Sequence, residues 1–308
     1  MYKRYLDCNA SDLMDLSRTD LLFSLRACEG RILVSETIVT VAPLLTSVTN
    51  AELAASQGAD LLLLNLFDIE NPKIAGMPAD TPPEDVIRKL QHLTGRIIGV
   101  NLEAVDKGFS ATHEELWMMR QGRFATAANA RRLHEMGVGF IVLTGNPGNG
   151  ISNEAIAESL QEIRAELGED MVLIAGKMHS AGILPSGSQK LITPDDVEKF
   201  IQKGADIILL PAPGTVPGIT LEYAQKLIDL AHQMGAMTMT AIGTSQEGAD
   251  AETVRQIALM SKMAGTDLHH IGDTGYTGIA IPENIRTYSI AIRGVRHTYT
   301  RIARSVNR

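Results

Sequence analysis

The amino-acid sequence predicts a closed (β/α)8 barrel, and three observations predict it. A glycine, one or two further residues and then an apolar, β-rich run recur eight times along the 308 residues. Amphipathic segments lie between these runs, which is the order of consecutive βα units. The runs are apolar throughout, as is typical of parallel strands buried on both faces. Eight such units in one uninterrupted series favour a closed barrel.

The rival fold is an open, doubly wound sheet. It would be favoured by a G-x-G-x-x-G motif after the first strand, where this chain instead has "TIVTVAPLLTS". We expect each recurring glycine to end a helix at the C′ position, where a left-handed backbone favours glycine. These glycines are Gly30, Gly58, Gly95, Gly137, Gly168, Gly204, Gly235 and Gly265.

The elements follow in order. Residues 1–29 precede the first strand and contain "SDLMDLSRTDLLFSLRAC", which predicts an extra amphipathic helix that caps the amino-terminal mouth of the barrel. Two later segments, "TPPEDVIRKLQHL" and "TPDDVEKFIQK", begin with the threonine, proline and acidic residues that start helices. For the arginine-rich last helix we expect a solvated or interfacial face. Because no linker divides the chain, we predict a single domain, 1–308.

Composition limits the classes of partner. The net charge of −8 argues against nucleic acid, which rewards basic surfaces. No apolar run approaches the roughly 20 residues that cross a bilayer, and the N-terminus lacks the apolar core of a secretory signal. Two cysteines, Cys8 and Cys28, are too few for a disulfide framework. We therefore expect reduced thiols, a cytoplasmic location and a small anionic metabolite as ligand.

The active site of such a barrel lies at the carboxyl ends of its strands. Catalytic candidates there are Glu36, Asn101, Glu103, Lys177 and His179. By contrast, Asp60, Asp206 and Asp267 stand at strand starts, where we expect them to bind backbone amides at the opposite end.

Lys177, in "VLIAGKMHSAG", shares a predicted strand face with His179. If that face is the interior, burial lowers the lysine pKa, and the amine can form a Schiff base or stabilise an enolate. The alternative is a structural ion pair with Glu36 or Glu103. Asn101 and Glu103 also share a face, which suits an amide that orients substrate and a carboxylate that carries a proton.

A metal site is a further possibility, without a diagnostic spacing such as H-E-x-x-H. Carboxylates suit magnesium better than zinc, and the candidates are Glu36, Asp68, Glu103 and Asp273. No cofactor is demanded by the sequence. Since His269 and His270 are adjacent, only one of them can face the interior of a regular strand.

Glycine-rich loops after strands seven and eight predict an anion site, because backbone amides at these loops bind phosphate in many barrels. The substrate-binding candidates are Gly243, Thr244, Ser245, Asp273, Gly275, Gly278, His270 and Asn146. Two long loops, 106–125 with Trp117 and 180–193, are candidate lids. The first is also a candidate oligomer contact, and we expect a homo-oligomer.

With "GKMHSAG", "GDTGYTG" and the eight-unit rhythm, the chain resembles the phosphate-binding barrels. More loosely, it resembles bacterial barrels grouped with phosphoenolpyruvate mutase-like or BtpA-like proteins. It departs from the mutase type, since it has no mid-barrel D-x-D magnesium motif, no K-K-C-G-H-like loop and no cysteine beyond residue 28. The resemblance therefore implies the fold and a small anionic ligand, and it leaves the reaction open.

Three functions are consistent with these features. The leading hypothesis is a lyase or isomerase for a small phosphorylated or carboxylated carbonyl compound. The second is a magnesium-assisted, phosphoenolpyruvate mutase-like enzyme of C–C or C–P bonds. The third is a BtpA-like regulatory or assembly barrel without catalysis, since fold alone does not establish activity.

Overall fold

A computed structural model describes residues 3–106, 120–145, 151–179 and 191–308 of the chain, with Tyr276 described by its backbone only. Eight parallel strands pair in chain order and close when β8 pairs with β1, so the predicted barrel is confirmed. The strands are β1 Ile32–Ile38, β2 Leu61–Asn65, β3 Ile97–Glu103, β4 Phe140–Thr144, β5 Val172–Gly176, β6 Ile207–Pro211, β7 Met237–Ile242 and β8 Leu268–Ile271.

Helices alternate with the strands as the sequence predicts. They are α1 Ala10–Met14, α2 Arg18–Arg26, α3 Asn50–Ser56, α4 Val86–Thr94, α5 Ala127–Glu135, α6 Asn153–Leu167, α7 Pro194–Gln202, α8 Leu221–Gln233, α9 Ala251–Met263 and α10 Pro282–Ala303. All eight glycines expected at helix ends have φ between 53° and 108°, so the left-handed backbone expected there is confirmed. In the ranges described, no helix is both long and apolar enough to cross a membrane.

The strands separate two hydrophobic clusters. Leu33 of β1 belongs to the outer cluster, between strands and helices, whereas Ile32 and Val34 belong to the inner cluster, which fills the barrel. Alternate residues of a strand point to opposite faces, so this parity identifies the side chains that face the interior. The inner cluster also contains Tyr5 and Leu25, which places the N-terminal segment over the amino ends of the strands, as predicted.

The N-terminal segment differs from the expectation in one respect. It forms two helices, α1 and α2, where the sequence predicted one. The cause is Ser17, whose side chain accepts a hydrogen bond from the backbone N–H of Asp20 and so starts a new helix. Both cysteines are buried free thiols.

The predicted role of the strand-start aspartates is confirmed. At the amino ends of the strands, which we call the floor, each carboxylate accepts a bond from a backbone N–H of the preceding strand. The pairs are Asp60 with Leu33 at 2.9 Å, Asp206 with Leu173 at 2.9 Å, and Asp267 with Thr238 at 2.8 Å.

The last helix was expected to present its arginines on a solvated or interfacial face, but two of them are buried inside the protein. Arg293 and Arg301 are only 7% and 2% exposed, and both form ion pairs with Asp60. Gly294, with φ 75° and ψ 170°, kinks α10 between them. The kink turns the second half of the helix under the floor, where Arg301 also donates to the carbonyl of Tyr5.

Candidate functional site

Glu36 and His270 meet in the interior at the carboxyl end of the barrel, which we call the rim. Glu36 has the parity of Ile32 and Val34, and His270 has the parity of Leu268, so both side chains face inward. Nε2 of His270 lies 3.1 Å from Oε2 of Glu36. The two groups are in contact but not aligned for a hydrogen bond, and both ring nitrogens and Oε1 of Glu36 are buried without a partner in the described part of the chain. Buried polar atoms are rarely left unsatisfied, so a ligand or ordered water belongs here.

His269 points the opposite way. Its Nε2 lies 3.1 Å from the carbonyl of Gly30, and its Nδ1 lies 3.2 Å from the hydroxyl of Tyr288. Burial lowers the His269 pKa to about 3, so the imidazole is neutral. Of the two adjacent histidines, His270 is therefore the one available to a ligand.

Asp273 follows β8 and connects the rim across three strands. Its Oδ2 accepts a bond from Nδ2 of Asn65 at 2.9 Å, and Asn101 donates in turn to Oδ1 of Asn65 at 3.4 Å. Burial, with the negative charge of Glu36, raises the Asp273 pKa to about 6. Oδ1 of Asn101 has no partner among the described residues. Asp273 can therefore hold or release a proton near neutral pH, and Asn101 has an acceptor to offer a ligand.

Glu247 completes this group, although we did not select it from the sequence. It lies in the 3-10 turn Gln246–Gly248 after β7 and is 3% exposed. Its Oε1 accepts the backbone N–H of Thr274 at 3.1 Å, its Oε2 is unpartnered within the described ranges, and burial raises its pKa. The available signal was its place in "IGTSQEG", directly after a strand end. We call Glu36, His270, Asp273 and Glu247 the rim group.

Glu103 and Asp68 lie apart from the rim group and have arginine partners. Glu103 forms an ion pair with Arg123, and Asp68 lies 3.4 Å from Arg120. Burial raises the Glu103 pKa in spite of Arg123. The four carboxylates expected to hold magnesium are thus divided between two places. In the described ranges no three His, Cys, Asp or Glu side chains are arranged to hold an ion. The four predicted ligands therefore do not form one magnesium site, and Glu36 and Asp273 are the two of them that lie in the rim group.

Lys177 departs from the expected geometry. Its predicted partners are engaged elsewhere, Glu36 with His270 and Glu103 with Arg123. Met178 belongs to the inner cluster, which gives Lys177 the parity of outward-facing residues, and the chain bends at Met178. Burial lowers the Lys177 pKa, and the acids that oppose this are Asp196 and Asp106.

His179, beyond the bend, belongs with the rim. Burial lowers its pKa and the charge of Glu36 opposes that shift, so the two groups lie within electrostatic range. Nδ1 of His179 is buried, with no hydrogen-bond partner among the residues that the structure describes. The charge of Lys177 also lowers the His179 pKa, so the imidazole lies within electrostatic range of both Glu36 and Lys177.

The loops predicted to bind an anion use several of their donors internally. The amide of Gly275 donates to Asp273 at 2.9 Å, and that of Gly278 donates to the carbonyl of Gly275 at 2.8 Å. The hydroxyl of Thr244 donates to the carbonyl of Thr215 at 3.1 Å. Gly243 packs beside Met178, where a Cβ atom would lie 3.0 Å from that side chain. Asn146, Trp117 and most of both candidate lids lie outside the described residues.

Of the four described non-glycine residues with positive φ, three lie at the rim and one, Glu29, precedes β1 at the floor. Leu66, Ser245 and Thr274 have φ of 60°, 74° and 53°, which non-glycine residues seldom adopt. Each lies within three residues of the end of its strand. Thr274 directly follows Asp273, and Leu66 follows Asn65. Such strain persists where the surroundings require a particular geometry, and it clusters at functional sites.

Solved structures resemble the chain in fold. The carboxyl transferase domain of Rhizobium etli pyruvate carboxylase, with pyruvate and biocytin, matches with a TM-score of 0.55 and 14% identity over 96% of this chain and 52% of that one. The chain thus spans about half the length of that structure. A proposed fructose-1,6-biphosphate aldolase from Coccidioides immitis matches with a TM-score of 0.50 and 13% identity over 94% and 95% of the two chains. A 2,3-dimethylmalate lyase of the PEP mutase/isocitrate lyase superfamily matches with a TM-score of 0.48 and 12% identity over 82% and 80%.

The matches with TM-scores of 0.55 and 0.50 show a shared barrel fold. The predicted resemblance to known barrels holds at the level of the fold. A comparison with curated proteins found no match. A family model matches residues 6–308, nearly the whole of the chain. The chain belongs to the family described as Domain of unknown function (DUF7916).

Proposed function

We propose that the chain is a lyase or isomerase that transfers a proton on a small carbonyl metabolite carrying a carboxylate or a phosphate. The observation that carries the proposal is a set of polar atoms at the rim that are buried and have no hydrogen-bond partner among the described residues. Glu36, His270, His179 and Glu247 each contribute at least one. Such atoms are costly to leave unsatisfied, so a polar substrate that bonds them is strongly favoured in this space.

The rim group can divide the work of acid and base. Glu36, held beside His270, would take a proton from the carbon next to the substrate carbonyl. The electron pair of the broken C–H bond would then form an enolate. Asp273, whose pKa is raised to about 6, would in its protonated form donate to the developing oxyanion or to a leaving group. Oδ1 of Asn101 would accept a bond from a substrate hydroxyl. Carboxylates in different environments thus serve different roles.

Lys177 is not assigned to this proton transfer. The charges that act on it belong to Asp196 and Asp106, and neither belongs to the rim group. A Schiff base at Lys177 stays a separate prediction, which trapping with borohydride in the presence of substrate would test. We also route no step through magnesium, because the predicted ligands are divided and two of them are paired with arginines.

Deuterium exchange tests the proposal without knowledge of the product. The protein is incubated in D2O with a panel of small 2-oxo acids, hydroxyaldehydes and their phosphates, and loss of the proton next to the carbonyl is followed by NMR. We expect at least one compound to exchange, and Glu36→Gln to slow that exchange by about 10²–10⁴-fold.

Asp68→Asn is the matched control. It changes a buried carboxylate near the end of β2 that is not one of the four residues of the rim group. It should exchange at the rate of the unaltered protein. The proposal is overturned if no compound exchanges, or if Glu36→Gln exchanges as fast as Asp68→Asn. Intact folding of both variants is checked by their melting temperatures.

A further inference from the structure

The corner after β7 and β8, where many barrels bind phosphate, is acidic in this chain. Glu247 is 3% exposed there, and the negative charges of Glu36 and Glu247 add to burial in raising the pKa of Asp273. The amides of Gly275 and Gly278 already have acceptors. In their charged forms these carboxylates would repel an anionic group, which favours an anion site elsewhere on the rim.

Arg123 lies across the mouth of the barrel from that corner. It ends the 3-10 turn Gln121–Arg123, and the next residue, Phe124, forms a parallel bridge with Glu103. The amide of Ala125 donates to the carbonyl of Glu103 at 2.9 Å. The segment is thus bonded to the end of β3, which holds the Arg123 backbone at the rim.

The guanidinium of Arg123 is held by Glu103, and within the described ranges it keeps N–H donors for a ligand. Its side chain is 18% exposed, and its bond to Glu103 engages one nitrogen, Nη2. A guanidinium has five N–H donors in a planar fork that matches a carboxylate. The Glu103 carboxylate is itself an example of the group that Arg123 takes, and its Oε2 has no partner in the described part of the chain.

The spacing suits a small molecule. Asn101 and Glu103 face the same way on β3, about 6–7 Å apart along the strand. Asn101 connects through Asn65 to Asp273 of the rim group. A substrate held at Arg123 can therefore extend along β3 past Asn101 towards the rim group.

We infer that Arg123 binds the carboxylate of the substrate and that Glu103 is a positioning residue that orients the guanidinium. This inference rests on the proposed function and makes it more specific. The substrate class becomes small carboxylated carbonyl compounds, recognised at the β3 side of the mouth, in preference to phosphate esters recognised after β7 and β8.

Malonate is the probe, because it presents carboxylates and cannot complete a reaction. Melting temperatures are measured with malonate, with inorganic phosphate and with chloride at equal ionic strength, since a ligand of the native state raises the melting temperature. We expect malonate to stabilise the unaltered protein more than phosphate does. Arg123→Gln should weaken malonate binding about 10- to 100-fold, the loss typical of a charged hydrogen-bonded pair.

Arg120→Gln is the matched control. Arg120 begins the same segment and pairs with Asp68, but it lines a separate cavity of about 610 Å³ with Leu66 and Met77. Its variant should bind malonate like the unaltered protein. Glu103→Gln tests positioning and should weaken malonate binding less than Arg123→Gln does. If Arg123→Gln does not fold, Arg123→Lys keeps the charge without the planar fork and should still weaken binding.

The inference is overturned if malonate stabilises Arg123→Gln as much as the unaltered protein, or if phosphate stabilises the unaltered protein more than malonate does. It fails separately from the proposed function. Malonate binding that depends on Arg123, without deuterium exchange on any compound, would leave the anion site standing and remove the reaction. Deuterium exchange without malonate binding would leave the proposed reaction standing and remove the anion site.

Discussion

Nε2 of His270 lies 3.1 Å from Oε2 of Glu36 inside the barrel, while the adjacent His269 is bonded to Gly30 and Tyr288 on the other face of the same strand. The outward histidine has partners for both nitrogens, and the inward one has hydrogen-bond partners for neither in the described ranges. The bonds of His269 fix the rotation of β8 and thereby aim His270 at Glu36. Two identical neighbours thus have different duties, one structural and one available for chemistry.

The two histidines should respond oppositely to the same substitution. His269→Gln leaves Tyr288 and Gly30 without their partner, and we expect it to cost about 1–3 kcal/mol of the free energy of unfolding. His270→Gln breaks no hydrogen bond, so it should change stability little and slow deuterium exchange about 10²–10⁴-fold. Chemical denaturation and the exchange assay measure the two effects. Equal losses of stability in both variants would contradict the division of roles.

Asp273 should make the folded state less stable as pH rises from about 4 to about 6. Its ordinary pKa of 3.8 is raised to about 6 on folding. Between these values the unfolded chain has released the proton that the folded chain still holds. The stability that protonated Asp273 contributes is therefore fully present below pH 4 and is lost as the pH rises to 6. The decline is on the order of 3 kcal/mol.

The measurement is the difference between the unfolding free energies of the unaltered protein and Asp273→Asn from pH 4 to pH 8. A difference is needed because His269, with its lowered pKa, contributes with the opposite sign over part of this range. Relative to Asp273→Asn, the unaltered protein should lose stability as pH rises. Glu247, whose pKa is also raised, reinforces the trend in both proteins. Parallel curves would refute the assignment.

Ser245→Gly should stabilise the protein. Ser245 has φ 74° and ψ −3°, a left-handed conformation that glycine adopts without steric cost, and its side chain caps no helix. We expect a gain of about 1 kcal/mol in the free energy of unfolding, and a loss for Ser245→Val. Thr274→Gly is a useful comparison, because Thr274 is also left-handed but its hydroxyl donates to the carbonyl of Ile279 at 2.9 Å. Its gain should be smaller.

The three floor aspartates should rank by the burial of their side chains, since Asp206, with Arg18 and Arg164, has as many arginine partners as Asp60. Asp60 is fully buried and pairs with Arg293 and Arg301, so Asp60→Asn should cost about 3–5 kcal/mol by leaving buried positive charge unpaired. Asp206, with a side chain that is 7% exposed, should cost less, and Asp267, at 16%, least of all. Denaturant midpoints of the three Asp→Asn variants give the order. An equal cost at all three positions would refute it.

Much of the barrel could be predicted from local patterns. Glycines at helix ends, buried apolar runs and aspartates at strand starts report on backbone geometry within a few residues. They therefore identified the strand order and the floor contacts of Asp60. The break after α1 was missed because Ser17 reads equally well inside an amphipathic helix and at its start.

The site was less predictable, because the partner of a charged group is set by distant residues. Strand parity places Glu36 and Asn101 inward, but it does not extend to Lys177, because β5 has ended there and the chain bends at Met178. Arg123 was visible only as a basic residue in a long loop. Its bond to Glu103 depends on the bridge between Phe124 and β3, which no local pattern encodes.

Of the four even-numbered strands, β4 is the one that is not preceded by an aspartate, and this has a consequence for motion. At β4 the place of the aspartate is taken by Gly139, whose amide donates to the carbonyl of Ile98 as the amide of Asp60 donates to that of Leu33. Glycine has no carboxylate to return a bond, so β3 and β4 are fastened at the floor by backbone alone. The amides of β3 and β4 should therefore exchange with solvent sooner than those of β1 and β2, which the carboxylate of Asp60 also joins. Glu103 ends β3, so the strand pair without a floor carboxylate leads to Arg123, the arginine proposed to bind the substrate.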